Sequence, residues 1–522
     1  MKSALSRAAV RQEQKAAGPP RTTREGLQEW ARAHMRGRRL VVVSNREPYS
    51  HVREDGGIRV VRNAGGLVVA LDAVAQALGG VWVAHGQGSA DRDVVDAGDR
   101  VPCPPERPSY VLRRVWLSDE DHERYYSGFS NGALWPLCHI AYVRPRFRRE
   151  DWERYRDVNR RFAEAAVAEA GDGPALVFLQ DYHLALAPKF IRELRPDIQI
   201  AHFWHIPWPN PEVFRILPWR HEVLEGLLAN DVLAFHIRAH AINFLDTVAE
   251  TLEARVMRER FAVERGDRRT WVRNLAISIN SDEIAEMVER PEVIEAERAL
   301  RAELGLQPGD RVLLGVDRLD YTKGIPERLG AYERLLETRP EWRGRTCFVQ
   351  IGVPSRVELP EYRAVMEQTR EAAGRINAAY ARAQGPAVHL IEANLDFRDL
   401  LPWYRTADLC AVTSLHDGMN LVAKEYLAAC TDLEGALVLS PFTGAARELE
   451  RAYIASPYDR DGLAEAYNAA LAEPAGPRAE RMSALRETVF RANIFDWARA
   501  MLDMVESLTL RTPAADALEV PE

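Results

Sequence analysis

Two cations five residues apart, Arg318 and Lys323, stand in the segment Leu313-Leu-Gly-Val-Asp-Arg-Leu-Asp-Tyr-Thr-Lys-Gly324. An apolar run leads into them, and ligands of open α/β folds bind where strands end. Arg offers a bidentate fork and Lys a point charge, a pairing that suits a phosphate or diphosphate. Two isolated cations are more often a solvated loop. A second segment shifts that balance: Thr413-Ser-Leu-His-Asp-Gly-Met-Asn-Leu-Val-Ala-Lys-Glu-Tyr426 reads as strand, glycine turn and helix start, acidic at Asp417 and Glu425. The helix start offers free N–H groups and a positive dipole end to a diphosphate. Glu425, about two turns in, can accept from ribose hydroxyls. Together the two segments read as a nucleotide-sugar site.

Other strand ends carry polar groups as well. Ser44-Asn-Arg46 closes the first apolar run, and Asn63-Ala-Gly-Gly-Leu67 opens a helix with Gly65 and Gly66, where the backbone can approach a ligand closely. No GxGxxG pattern accompanies them. Tyr125-Tyr-Ser-Gly-Phe-Ser-Asn-Gly-Ala-Leu-Trp-Pro136 reads as a packed loop, with Tyr126 and Trp135 as aromatic walls against which a sugar could dock. Asp181 and His205 fall at the ends of two further strands, and Arg356 follows another. The spacing of His183, His202 and His205 matches no standard zinc pattern. The Asp-x-Asp pairs at 91–93 and 459–461 follow no apolar strand and read as surface charges, so no metal is expected.

These groups need a scaffold, and the chain supplies short β-branched runs alternating with longer helical patterns. Expected strands include 39–44, 81–84, 175–179, 198–204, 232–235, 271–279, 312–316, 347–351, 388–391, 409–413, 436–440 and 453–456. Helices are expected between them, at 152–169, 187–195, 219–228, 240–251, 281–306, 325–337, 359–383 and 420–429. That alternation indicates βαβ units and parallel sheets covered on both faces. A length of 522 residues points to two domains, with a boundary near 280–291. The expected division is a flexible extension at 1–39 with a short helix near 23–35, an acceptor domain at 40–280, a nucleotide-sugar domain at 281–490, a C-terminal helix at 491–508 returning to the first domain, and a flexible tail at 509–522.

Composition excludes several classes. Hydrophobic residues make up 47% and charged residues 28%, with a formal net charge of −8. Nothing in that balance draws nucleic acid, and no apolar run reaches the ~18–20 residues that span a bilayer. The basic N-terminal stretch lacks a signal peptide's apolar region, and Glu13, Glu25 and Glu29 argue against a targeting presequence. Five scattered cysteines without CxxC spacing suit a reducing cytoplasm.

With these residues in view, the chain resembles the trehalose-6-phosphate synthase family over roughly residues 40–508. The segments VVVSNR, AGGL, YYSGFSNGALWP, DYHL, HIPWP, RLDYTKG, PSR, DGMNLVAKEY and SPFTGAARE occur in that order. The resemblance implies an α/β fold of two Rossmann-like doubly wound domains facing each other across a cleft (GT-B), and a retaining glycosyltransferase. It implies glucose transfer from a nucleotide-glucose such as UDP-glucose to glucose 6-phosphate, with no metal and no other cofactor. Arg318 and Lys323 would hold the donor diphosphate, Glu425 the ribose, and the backbone of Asn420, Leu421 and Val422 the phosphates. Asp417 and His205 would hold glucose hydroxyls, with Gly65 and Gly66 close to the donor. Arg46, Tyr126, Trp135 and Arg356 would line the acceptor's sugar-phosphate pocket, with Asp181 beside its sugar. A second copy of the chain is a further candidate partner. Three positions depart from the family pattern: His85 where a Trp is usual near the acceptor pocket, Ala276-Ile-Ser-Ile-Asn280 at the junction, and His416 for the usual Arg. His85 keeps open a glucosylglycerol-phosphate synthase acting on glycerol 3-phosphate. A silent regulatory subunit that senses sugar phosphates is the competitor from another class, and an epimerase on the same architecture is a distant fourth.

Overall fold

The computed structural model describes residues 21–509 except Arg36 and Ala64. Two sheets organise it. The first has ten strands: β1 (Arg39–Arg46), β4 (Val81–His85), β5 (Arg100–Cys103), β6 (Tyr110–Val115), β7 (Ala175–Gln180), β8 (Gln199–Trp204), β9 (Val232–Phe235), β10 (Arg255–Met257), β11 (Ala262–Arg265) and β12 (Arg268–Asn274). Their order is β10-β11-β12-β9-β8-β7-β1-β4-β6-β5. Seven neighbours from β12 to β6 run parallel, while β5, β10 and β11 add antiparallel edges. A separate hairpin, β2 (Tyr49–Glu54) with β3 (Gly57–Arg62), follows the first strand.

The second sheet contains β13 (Arg311–Arg318), β14 (Thr346–Val353), β15 (Val388–Ile391), β16 (Leu409–Val412), β17 (Ala436–Leu439) and β18 (Tyr453–Ile454), all parallel, in the order β15-β14-β13-β16-β17-β18. This is the dinucleotide-fold order, reversing between β13 and β16. In the first sheet the chain also leaves in two directions, from β1 through β4 to β6 and from β7 through β8 to β9. Each reversal opens a crevice at the carboxyl ends of strands. Arg318 ends β13, Arg46 ends β1, His85 ends β4, and Asp181 and His205 follow β7 and β8.

Why these segments became strands is plain from their burial. All six residues of β7 and all four of β16 are buried, as continuous apolar runs covered on both faces must be. The cores of the two halves merge: one cluster runs from Leu40 and Trp82 through Leu314 and Leu427 to Trp497 and Val505.

Several expectations need correction. The Tyr125–Pro136 segment is helical rather than a loop: Glu123–Leu134 has π-type hydrogen bonding and runs into the helix Trp135–His139. The wider turn lets Tyr125, Phe129 and Leu134 all bury while Tyr126 stays half-buried at the cleft. The stretch 281–306 is two helices, Ser281–Val288 and Pro291–Glu303, because Pro291 removes an amide and starts a new helix. The strand expected at 271–279 spans Arg268–Asn274 instead. Asp91, read as a surface charge, is fully buried and pairs with Arg114 at 2.8 Å. From residue 21 the N-terminal extension is docked and not free: helix Arg24–His34 buries Leu27 and Trp30. Residues 1–20 and the tail from 510 lie outside the described residues.

After β18 the chain returns to the first half. Helix Ile494–Thr509 sets Trp497 against Phe178 and Phe203, with ring centroids 5.8 and 5.1 Å apart. Among the described residues no helix is long and apolar enough to cross a membrane.

Candidate active site

The first loop is built around a carboxylate. Asp320 Oδ1 accepts from the Thr322 amide and hydroxyl (3.0 and 2.9 Å), turning the chain after β13 into the short 3-10 turn Tyr321–Lys323. Gly324 then takes φ +62°, and a Cβ there would lie 2.3 Å from the Thr413 carbonyl, so only glycine fits. Leu415 N–H donates to Thr322 O (2.8 Å) and the Thr413 hydroxyl to Gly324 O (3.1 Å). The loops after β13 and β16 are thereby tied together, and Lys323 Nζ meets Asp417 Oδ2 at 2.5 Å. Burial alone would raise the Asp417 carboxyl, but the Lys323 charge prevails and holds it at about 2. An ionised Asp417 can only accept hydrogen bonds.

Helix Leu421–Ala429 starts on Asn420, whose φ of +85° and side-chain bond to Ala423 N–H form the cap. The first amides, Leu421 and Val422, are left without intrahelical acceptors. Glu425 lies buried on this helix and accepts from the Tyr404 hydroxyl at 2.9 Å. Burial pushes its carboxyl up to about 7.

The first half closes onto that helix. A Cβ on Gly66 would lie 2.9 Å from Leu421 Cδ1 and 3.2 Å from Glu425 Oε1. Gly65, at φ +142°, faces Arg46 Nη1, which a Cβ would approach to 3.7 Å. Gly418 approaches the opposite wall, where its Cβ would fall 2.1 Å from the His205 carbonyl oxygen. His205 Nε2 bonds Gln180 Oε1 at 2.9 Å, and its amide donates to Asp181 Oδ1 at 3.2 Å. Burial and the neighbouring His236 hold the His205 ring well below its usual range, so it is neutral. Asp181 itself sits at φ +71°, and burial raises its carboxyl to about 7 against the opposing amides and arginines.

Between the halves stands an aromatic and cationic cluster. The Arg356 guanidinium lies 4.6 Å from the Trp135 ring and 5.6 Å from Tyr126, and the Arg318 guanidinium lies 5.2 Å from the same Trp135 ring. Tyr126 stacks on His183 at 5.7 Å and on His122 at 4.8 Å. Burial would raise the Tyr126 phenol, but Arg356, Arg46 and Arg318 together bring it down to about 8. His85 touches this group one ring away: it faces His122 at 5.4 Å, and its buried Nδ1 has no partner. His85 thus reaches the aromatic wall through His122, and in the sheet its backbone stands beside that of Arg46.

These contacts bring the expected site residues together where the strand ends of the two sheets meet. Those that the sequence did not mark are their supports. Asp320 and Tyr362 hold Arg356, His122 and His183 sandwich Tyr126, and His416 Nδ1 pairs with the His139 carbonyl across the halves at 2.7 Å. Asp320 lies within the motif but reads there as an ordinary turn residue. The His139–His416 pair had no signal, since nothing in a linear chain announces which surfaces dock. Among the described residues no group of three or more His, Cys, Asp or Glu side chains could hold a metal ion. A cavity of ≈620 Å³ bordered by Arg192, Asp231 and Arg268 lies at the amino ends of β8, β9 and β12, away from these groups.

The chain matches known proteins over most of its length. The Glycosyltransferase family 20 model covers residues 38–507. This chain belongs to glycosyltransferase family 20. Trehalose-6-phosphate synthase of Mycolicibacterium smegmatis is 43% identical over 472 residues, 89% of this family 20 chain and 92% of that protein. The synthase of Mycolicibacterium vanbaalenii is 42% identical over 479 residues, with 90% and 96% covered. Among solved structures, the UDP-forming α,α-trehalose-phosphate synthase of Burkholderia xenovorans, in complex with glucose-6-phosphate, superposes with a TM-score of 0.79 at 31% identity, covering 90% of this chain and 100% of that one. An Escherichia coli protein bound with UDP-2-fluoro glucose gives 0.79 at 31%, covering 90% and 99%. The GT-B architecture of this family 20 glycosyltransferase, two Rossmann-like domains about a cleft, is that of these neighbours.

Proposed function

We propose that the protein transfers glucose, with retention, from UDP-glucose to glucose 6-phosphate and so forms trehalose 6-phosphate. The observation that carries this reading is two anion-type sites side by side at the strand ends of the second sheet, faced by aromatic residues of the first half. Lys323 and the helix start at Leu421 form one, and Arg356 against Trp135 and Tyr126 forms the other. The relatives' names and the two ligands bound in solved neighbours support the same substrates.

On this reading Arg318, Lys323 and the free amides of Leu421 and Val422 take the growing charge of the leaving diphosphate. Asp417 and neutral His205 receive glucose hydroxyls, with Gly65 and Gly66 close beside the donor. Glu425 accepts from the ribose. Arg46 and Arg356 hold the acceptor phosphate against Tyr126 and Trp135, and Asp181 orients the acceptor sugar. The acceptor hydroxyl oxygen bonds the anomeric carbon on the face from which the diphosphate departs, and a donor phosphate oxygen takes its proton, so neither a protein nucleophile nor a protein base is needed. The nucleotide-sugar is a co-substrate, and no metal takes part.

The test is turnover of UDP-glucose against glucose 6-phosphate and glycerol 3-phosphate at equal concentration, with and without EDTA. Trehalose 6-phosphate should dominate in both conditions. Preferential glucosylglycerol phosphate would assign the acceptor pocket to the smaller substrate, with His85 as the altered wall. Loss of activity in EDTA, restored by Mg²⁺, would show that leaving-group stabilisation needs more than the side chains named.

Glu425 gives a pH signature. Its carboxyl, raised to about 7 by burial, is ionised and accepts hydrogen bonds above that value, but is protonated below it. Donor KM should therefore rise as pH falls from about 8 to about 6, and Glu425→Gln should flatten that dependence. A donor KM that stays level across this range in the wild type would remove Glu425 from the ribose site.

A further inference from the structure

The two cations assigned to opposite substrates share one counter-ion. Arg356 Nη1 lies 3.4 Å from Asp320 Oδ2, and Arg318 Nη2 lies 3.7 Å from the same oxygen. Asp320 is fully buried. Its Oδ1 is occupied by Thr322, and Oδ2 also accepts from the Tyr362 hydroxyl at 3.3 Å. Arg356 is itself fixed from three sides, by Tyr362, by the Tyr182 hydroxyl at 3.4 Å and by the Trp135 ring. Burial works against the Asp320 charge, yet Arg318, Arg356 and Lys323 keep the carboxyl below its usual value.

We propose that Asp320 is the positioning residue that sets the separation of Arg318 and Arg356, and with it the distance between the donor diphosphate and the acceptor phosphate. This rests on the function proposed above. The charge arithmetic supports it. One carboxylate between two guanidiniums leaves the group net positive, so both cations remain able to bind anions. Without it, two desolvated like charges beside Trp135 repel, and only packing holds their spacing. Asp320 never needs to touch a substrate. Its Oδ1 bonds also shape the turn that carries Lys323, so a single residue aligns all three cations.

A positioning residue and a merely structural one leave different kinetic traces. Asp320→Asn keeps shape and volume while removing the charge. Binding of either anion should not weaken, because the site becomes more positive, but the reacting groups should lose alignment. We expect kcat to fall about a hundredfold, the scale of a misplacement near 1 Å. KM for glucose 6-phosphate and the inhibition constant of UDP should stay the same or fall. Tyr362→Phe takes one hydrogen bond from Asp320 and one from Arg356 but leaves the Asp320 charge. Its kcat should lie between those of the wild type and Asp320→Asn, at the wild-type melting temperature. Wild-type kcat in Asp320→Asn would overturn the proposal. So would a rise in both substrate constants with kcat unchanged, or a loss of kcat in Asp320→Asn that tracks a lower melting temperature while Tyr362→Phe stays at the wild-type rate. Wild-type turnover of UDP-glucose with glucose 6-phosphate in the same assay separates failure here from failure of the functional reading.

Discussion

Arg318→Ala should lower kcat by two to three orders of magnitude with little change in melting temperature. A charge about 4 Å from the leaving group is worth ~4 kcal/mol at an effective dielectric near 20, and each ~1.4 kcal/mol is tenfold in rate. The fold loses little with Arg318: its contacts are a ring face at 5.2 Å and a carboxylate at 3.7 Å. Lys323→Ala should cost as much in rate, but it should also lower stability. Lys323 is the ion partner of Asp417 at 2.5 Å, and removing it leaves a largely buried carboxylate unpaired, a change worth ~3–5 kcal/mol when the pair is buried. Nothing in the linear motif separates the two substitutions; the ion pair does. Steady-state kinetics beside melting curves check both. Near-native turnover in either variant would remove it from the donor site.

The second large effect belongs to Gly418→Ala. A methyl group there would sit 2.1 Å from the His205 carbonyl oxygen, 3.1 Å from its carbon and 3.2 Å from the His236 ring. These obstacles include main chain of the opposite half and cannot rotate away, so the Asp417 loop must withdraw from the end of β8. Such a shift separates Asp417 from His205, and a loss of about a hundredfold in kcat is expected. Gly374→Ala, in the middle of helix Pro360–Tyr380 with nothing within 4 Å of its Cβ position, is the control and should leave activity unchanged. Full activity in Gly418→Ala would mean that the halves meet differently during turnover.

What could be read in advance followed from burial. The strands β7, β13 and β16 were legible because a strand covered on both faces must be apolar along its whole length. The hairpin β2–β3 was not, since four of the six residues of Gly57–Arg62 are exposed consecutively and carry no alternation. The antiparallel edges β5, β10 and β11 are three or four residues long, too short for a pattern. The site shows the same division. Arg318, Lys323, Asp417 and Glu425 stand out because charges at strand ends and helix starts are chemically conspicuous. The supports of that chemistry depend on which surfaces meet: Asp320 reads as an ordinary turn residue until Arg356, 36 positions on, is seen beside it. The π-type turn at Glu123–Leu134 was hidden for another reason, as its glycines and aromatics satisfy a loop equally well.

The return of the last helix has a mechanical meaning. The polypeptide passes between the two halves twice, after β12 and again before Ile494, and the two passages are stitched together by the Ile494 N–H on the Ile279 carbonyl at 3.0 Å. Lys424 adds a rivet beside them, donating to the Ile277 carbonyl at 2.9 Å. A body joined to another by one thread can swivel about it in any direction. Two threads pinned side by side define an axis and take that free swivel away.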